Sequence, residues 1–238
     1  NAPIRRGHPT VHKKWSNNLA ILSGDVMMIQ AYKLLAKVQS SNLKDVLHVF
    51  NKSAIQVCEG QQWDMSFEIQ ENVSLVEYIK MIEYKTAVLI GCSLQIGAIT
   101  AGASKEQQNH LYEFGINMGL AFQLKDDLLD VFGNPKDFGK QVGGDILANK
   151  KTFLYLKALQ LADHSVKREL TTYYASNDDS DMKINGVKSI FDSLNLQKHT
   201  IDMMKAYYMK AMKHLDSIDS VNKEPLILFS NKLMERIS

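Results

Sequence analysis

The sequence contains little cysteine and little proline. Of its 238 residues, two are cysteines, four are prolines and thirteen are glycines. Two cysteines cannot build a disulfide framework, so a disulfide-stapled secreted domain is excluded and a reducing cytoplasm is the expected location. So few prolines and glycines favour long regular elements over a loop-rich fold.

Long apolar runs and a strong charge bias are also lacking. The longest nearly apolar run, residues 87–103, is slightly short for a membrane span and contains Ser93, Gln95 and Thr100. We therefore expect a buried helix there and no membrane span. The net charge of +2 gives no global basic field, so nucleic acid and anionic membranes are not expected partners.

A helical pattern covers almost the whole chain, and we find no alternating run typical of a strand. Helices are predicted over residues 17–38, 42–70, 75–101, 105–132, 152–162, 184–194 and 200–218, with a last one near Pro225. Ser74 and Ser104, followed three residues later by Glu77 and Gln107, predict two helix N-termini. Without repeats or signs of a second core, the prediction is one all-α domain over residues 1–238.

An acidic stripe crosses the predicted helix at residues 105–132. Gln123, Asp126, Asp127 and Asp130 have helical spacing, so they share one face. Like charges this close repel each other, and lysines at the spacing that would relieve a surface stripe are absent, with only Lys125 adjacent. From this helix alone, a solvated acidic face and a metal site remain equal alternatives.

The neighbouring segments carry the opposite charge. The loop over residues 133–151 is rich in lysine and glycine, which suit phosphate. Arg5 and Arg6 add planar donor forks matched to a diphosphate. Clustered carboxylates suit Mg²⁺, whose remaining positions are filled by phosphate and water. Together these segments predict a metal–diphosphate site with Mg²⁺ as the cofactor and Mn²⁺ as its alternative.

Polar residues also interrupt two apolar helices. Gln61 and Asp64 lie one turn apart in the first, and Lys85 and Thr86 lie together in the second. Small residues follow Lys85 along its helix. They allow either close helix packing or room for an apolar ligand, and periodicity does not separate these two interpretations.

Six segments in order along the chain resemble the trans-isoprenyl diphosphate synthases of the polyprenyl synthetase family. They are RRGHPTVH, GDVMMIQAYKLL, GQQWD, YKTAVL, GLAFQLKDDLLDVFG and GKQVGGDILANKK. The resemblance implies an isoprenoid synthase fold, with long helices around a central cavity, and usually a homodimer. It also implies head-to-tail prenyl transfer, in which an allylic diphosphate ionises with the help of Mg²⁺ and isopentenyl diphosphate attacks the carbocation.

The resemblance assigns a role to each matched residue. The residues placed at the metal, directly or through water, are Asp126, Asp127 and Asp130. Those placed against diphosphate are Lys85, Lys140 and Lys150, with Arg5 at the allylic and Arg6 at the isopentenyl substrate. Those placed beside the carbocation are Thr86 and Gln123. Those lining the allylic chain are Gln61 and Asp64, and Asp145 orients the loop.

The family's first aspartate-rich motif normally lies just upstream of the RRG segment, and most of its isopentenyl diphosphate site lies in the same region. The chain opens on NAPIRRG without methionine. We therefore expect the N-terminal helices to be missing from it, and the 238 residues alone to be inactive.

Short products of 15 to 20 carbons are predicted because GQQWD and the glycine-rich helix after YKT resemble farnesyl and geranylgeranyl synthases. The alternatives are a long-chain synthase, a non-catalytic subunit of a heteromeric synthase, and a terpene cyclase of the same fold. The retained aspartates and lysines argue against the non-catalytic subunit, and the RRG pair argues against the cyclase.

Overall fold

The computed structural model describes residues 3–5, 7–133, 142–176, 181–219 and 222–235. Nearly all of them lie in helices, so the all-α prediction is confirmed. The chain divides into two compact units, Asn1–His48 and Val49–Ser238. The prediction of one domain over the whole chain stays a prediction.

The first unit begins with a short hairpin. Strands β1 (Ile4–Arg5) and β2 (His8–Pro9) pair antiparallel. Gly7 joins them with a φ of 76°, which glycine adopts without strain. The expectation of no strand is wrong here, because strands of two residues are too short to show a periodic pattern.

Three helices follow the hairpin: α1 (Val11–Lys14), α2 (Asn17–Leu35) and α3 (Ser40–Ile69), the last of which continues into the second unit. The Ser16 side chain caps α2 by accepting a hydrogen bond from the Leu19 backbone N–H. Several apolar side chains of α2 are more than half exposed: Ile21, Leu22, Val26, Met27, Ile29 and Leu34.

The second unit contains the remaining elements. They are α4 (Leu75–Ile82), a π-helical segment (Glu83–Ala87), α5 (Val88–Thr100), α6 (Lys105–Phe132), α7 (Gly144–Leu147), α8 (Phe153–Leu161), α9 (His164–Ala175), α10 (Asp181–Ser193), α11 (Leu196–Asp216) and α12 (Glu224–Glu235). The predicted helix starts are confirmed, since Ser74 forms a capping box with Glu77 and the Ser104 side chain accepts from the Gln107 backbone N–H. In the described part of the chain, no helix combines the length and apolar character needed to cross a membrane.

Helix α6 is the central element of this unit and packs against α5 and α11. Its 28 residues span roughly 40 Å. Leu124, Leu128 and Val131 are buried in the core on one side of the helix. Lys125 is also buried, and its ammonium group donates to the Leu233 carbonyl on α12. It therefore does not relieve the acidic stripe.

Glycines let α5 and α6 approach each other closely. A Cβ on Gly115 would lie 2.6 Å from the Cα of Gly91, and one on Gly119 would lie 2.5 Å from the Cα of Ala87. The small residues after Lys85 could serve close helix packing or leave room for a ligand, and at Gly91 they serve close packing. Gly97 has open space where a Cβ would lie.

We expect Gly115→Ala to lower the free energy of unfolding by about 1–3 kcal/mol, because the new methyl group meets backbone atoms that cannot move aside. Gly97→Ala is the matched control on α5, and it should stabilise the protein by about 0.5–1 kcal/mol through helix propensity alone. Urea unfolding followed by circular dichroism checks both. Equal effects of the two variants would contradict the close α5–α6 approach.

Candidate active site

Lys85 and Thr86 lie in the π-helical segment between α4 and α5. A π turn inserts one residue into a helix and redirects the side chains around it, and such turns are frequent at functional sites. Gly60 of α3 packs directly against this segment, since a Cβ there would collide with the backbone of Tyr84 and Lys85. The close approach brings the polar residues of α3 beside Lys85.

Lys85 forms an ion pair with Asp64 of α3. Its Nζ lies 2.5 Å from Asp64 Oδ2, and Gln61 Nε2 donates to the same oxygen at 3.4 Å. The side chains of Lys85 and Asp64 are 32% and 20% exposed. The ammonium group is therefore accessible to an incoming anion.

Gln123 of α6 connects the π-helical segment to the aspartates. Thr86 Oγ1 donates to Gln123 Oε1 at 2.9 Å, and Gln123 Nε2 donates to Asp127 Oδ1 at 3.2 Å. The two ends of the amide thus have different partners, which defines its orientation.

Asp127 is buried and accepts on both of its oxygens. The Tyr78 hydroxyl donates to Oδ2, and the Phe153 backbone N–H, at the start of α8, donates to the same oxygen at 3.4 Å. Burial and the charge of Asp145 raise the pKa of Asp127 to about 7, while the Tyr78 hydrogen bond opposes the rise. Its partners therefore join α4, α6 and α8 around one carboxylate.

Asp130 fixes the beginning of α7. The Asp145 backbone N–H donates to Asp130 Oδ2 at 2.9 Å, and the Gly143 N–H donates to the Asp130 carbonyl at 2.6 Å. Gly143 has a φ of 82°, which favours glycine at this position. Burial, followed by the charges of Asp145 and Asp126, raises the pKa of Asp130 to about 6.

Lys150 lies among three carboxylates. Its Nζ is 2.7 Å from Asp145 Oδ1. Burial alone would lower the pKa of Lys150, but the charges of Asp145, Asp64 and Asp130 raise it above its usual value. Lys150 therefore stays charged. Its charge interacts both with Asp64 of α3 and with Asp130 of α6.

The donor set suits a hard divalent cation. The groups at the surface of this cluster are carboxylates and ammonium ions, and Asp126 is more accessible than the buried Asp127 and Asp130. In the described residues, no three His, Cys, Asp or Glu side chains are grouped to hold a metal by themselves. Mg²⁺ usually takes only one or two protein carboxylates and completes its shell with phosphate and water, so these residues fit it.

Three of the predicted site residues are not tested by this geometry. Arg6 and Lys140 lie outside the described residues. Arg5 is exposed on β1 of the first unit, opposite His8 in the hairpin. Their predicted contacts with diphosphate stay predictions.

Sequence reasoning missed two partners of Asp127, the Tyr78 hydroxyl and the Phe153 backbone N–H. A backbone group carries no sequence signal. Tyr78 lies three and four residues before Met81 and Ile82, so helical spacing places its hydroxyl on the apolar face of α4, where it needs a hydrogen-bond partner. That spacing could have indicated a polar role for the tyrosine.

We expect Asp130→Asn to stabilise the metal-free protein at pH 8 by roughly 1–2 kcal/mol. The folded pKa of about 6 exceeds that of an unfolded aspartate. The native state therefore binds the proton more tightly, and stability falls as the pH rises from about 4 to about 6. The variant lacks this loss, so its advantage should be present at pH 8 and absent at pH 4.

Urea unfolding in EDTA at the two pH values measures this difference. The exposed Asp202 of α11 gives a matched control, Asp202→Asn, which should change stability little at either pH. An advantage of Asp130→Asn that is equal at pH 4 and pH 8 would contradict the raised pKa.

Known proteins resemble this chain in sequence and in fold. The sequence matches the polyprenyl synthetase family over residues 1–194. It is 34% identical over 227 residues to the geranylgeranyl diphosphate synthase of Saccharolobus solfataricus, covering 94% of this chain and 68% of that protein.

Two solved structures share the fold. A geranylgeranyl pyrophosphate synthase superposes with a TM-score of 0.94 at 44% identity, covering 100% of this chain and 74% of the other. The geranylgeranyl pyrophosphate synthase of Corynebacterium glutamicum, complexed with isoprenyl diphosphate and magnesium, superposes with a TM-score of 0.87 at 26% identity, covering 99% and 71%. The chain therefore belongs to the polyprenyl synthetase family.

Proposed function

We propose that this protein is a magnesium-dependent trans-prenyltransferase that joins isopentenyl diphosphate to an allylic diphosphate. The observation that carries the proposal is the placement of two ammonium groups, Lys85 and Lys150, beside the carboxylates of Asp64, Asp130 and Asp145. A metal–diphosphate needs carboxylates that bind the metal and, next to them, cations that bind the diphosphate. Family membership and the magnesium complex of the Corynebacterium enzyme support the same chemistry.

Ionisation of the allylic substrate is the first step. Bound Mg²⁺ supplies charge neutralisation for the diphosphate that leaves. Asp126 and Asp130 would hold the ion from the α6 side. Lys85 would leave Asp64 and donate to the diphosphate, joined by Lys150, so that negative charge meets fixed cations as the bond breaks.

The carbocation that results needs nearby dipoles and no nucleophile that could trap it. The hydroxyl of Thr86, the residue that follows Lys85, lies 2.9 Å from the amide oxygen of Gln123. Both are weak nucleophiles with oxygen dipoles. The C3–C4 double bond of isopentenyl diphosphate then attacks the cation, and a proton is lost to the departed diphosphate.

A short product of 15 to 20 carbons is part of the proposal. Two residues of the GQQWD segment take part in the Lys85 contact: Asp64 forms the ion pair, and Gln61 donates to Asp64. The similarity to geranylgeranyl synthases supports a product of this class. A long-chain product and a non-catalytic partner subunit are the outcomes that the assay separates.

The test incubates the purified full-length protein with isopentenyl diphosphate, dimethylallyl, geranyl or farnesyl diphosphate and Mg²⁺, and then sizes the products. We expect elongation that stops at 15 to 20 carbons and that EDTA abolishes. Longer products would refute the short-chain assignment. The absence of elongation with every allylic substrate would refute the enzyme itself.

We also propose a homodimer, as the family resemblance implies. The exposed apolar side chains of α2, such as Ile21, Met27 and Leu34, support association with a second copy, because such patches usually mark interaction surfaces. Light scattering on the full-length protein would test the stoichiometry. The cytoplasmic location stays a prediction.

A further inference from the structure

Asp127 has the surroundings of an anchoring residue. Its side chain is 3% exposed, the lowest exposure of the three aspartates of the motif. Oδ2 accepts from Tyr78 and from the Phe153 N–H, and Oδ1 accepts from Gln123 Nε2. A carboxylate that is enclosed in this way and already has three donors is poorly placed to bind a metal.

The same contacts determine the direction of the Gln123 amide. The Phe153 N–H can only donate, so the group facing it must accept. Both oxygens of Asp127 accept hydrogen bonds in the structure, so Asp127 also presents an acceptor to Gln123. Gln123 must then turn its NH₂ group toward Asp127 and its Oε1 toward the Thr86 hydroxyl, as observed.

We propose that Tyr78 and Asp127 are positioning residues for prenyl transfer, and that Asp127 orients the Gln123 amide without binding the metal. The proposal rests on the proposed function for the role of Gln123 beside the carbocation. Tyr78 holds Oδ2 of Asp127, Asp127 holds Nε2 of Gln123, and Oε1 of Gln123 is thereby kept beside Thr86.

Replacement of Asp127 by asparagine shows why two acceptor oxygens are needed at this position. The Asn oxygen must face the Phe153 N–H, so the Asn NH₂ group faces Gln123. Two NH₂ groups cannot hydrogen-bond to each other, and the Gln123 amide must rotate to present Oε1. Its NH₂ group then lies beside Thr86, where a donor replaces the acceptor of the native site.

Metal binding separates the two roles without any turnover. Mn²⁺ is titrated into full-length protein saturated with inorganic diphosphate and followed by electron paramagnetic resonance. We expect Asp127→Asn to keep the Mn²⁺ dissociation constant within about threefold of wild type and Asp126→Asn to raise it at least about tenfold. Equal weakening by both variants would overturn the proposal, since Asp127 would then be a ligand.

Kinetics test the positioning role. We expect Tyr78→Phe and Asp127→Asn each to lower kcat by about tenfold, with KM for the allylic diphosphate within about twofold of wild type. The double variant should be no more than about twofold slower than the worse single variant, because both act through one contact. An unchanged kcat in Tyr78→Phe, or multiplied losses in the double variant, would overturn the proposal.

Tyr208→Phe is the matched control. It removes a comparable hydroxyl hydrogen bond, 2.8 Å from Tyr208 to Asn231 between α11 and α12, and should leave kcat unchanged. Loss of kcat in this control would mean that Tyr78→Phe acts through general destabilisation. Failure of the wild type to elongate any substrate would refute the proposed function, whereas the Mn²⁺ comparison bears on the placement of Asp127 alone.

Discussion

Asp126→Ala is expected to lower the rate of prenyl transfer by at least about 100-fold, because loss of the proposed metal ligand would remove several kcal/mol of charge stabilisation from the transition state. Asp126 is the most accessible carboxylate of the motif. Asp130→Ala should lower the rate less, because the Asp130 side chain is buried and therefore less accessible to the ion. Single-turnover rates at the lowest Mg²⁺ concentration that saturates the wild type measure both variants.

Asp202→Ala is the control for this series, since it removes an exposed carboxylate from α11 and should leave the rate unchanged. Raising the Mg²⁺ concentration should recover part of the loss in Asp126→Ala, because weaker binding is offset by mass action. Equal losses in Asp126→Ala and Asp130→Ala would refute this ordering. Both residues would then contribute equally to the rate.

Lys85→Ala is expected to lower kcat about 100-fold, the usual effect of removing one preorganised donor to developing negative charge. The removed ammonium lies 2.5 Å from Asp64. Its loss also leaves the Asp64 carboxylate unneutralised near the diphosphate, which adds repulsion. Steady-state kinetics with each diphosphate separate the effect on kcat from the effect on KM.

Lys80→Ala is the matched control, because Lys80 lies five residues earlier in the chain. It pairs with Glu83 at 2.8 Å, and its side chain is 47% exposed. It should change kcat by less than about twofold, as exposed ion pairs contribute little. Lys85→Arg should recover part of the lost rate by keeping the charge. A loss confined to KM in Lys85→Ala would show that Lys85 binds the ground state and the transition state equally.

Local sequence signals were sufficient for most of the helices. The Ser74 and Ser104 caps lie at the start of their helices, so they act through neighbours in the chain. For this reason the predicted bounds of helix 105–132 agree with α6. The apolar stripe with Leu124 and Leu128 likewise predicted the buried face.

Elements that depend on distant contacts were predicted less well. Helix α9 was missed because its sequence, HSVKRELTTYYA, includes threonines and tyrosines of modest helix propensity. Burial of Leu170 in the core stabilises it despite that propensity. The helix predicted over residues 75–101 contains the π-helical segment Glu83–Ala87, and Gly60 of α3 packs against it from 25 residues away in the chain.

The sequence by itself determined the all-α class and the acidic stripe, because spacing along a helix places Gln123, Asp126, Asp127 and Asp130 on one face. Only the tertiary structure decided how these similar groups differ. Asp127 is enclosed by Tyr78 and the start of α8, whereas Asp126 remains accessible. Burial and hydrogen-bond donors from other helices give chemically identical side chains different surroundings, and those donors lie far away in the sequence.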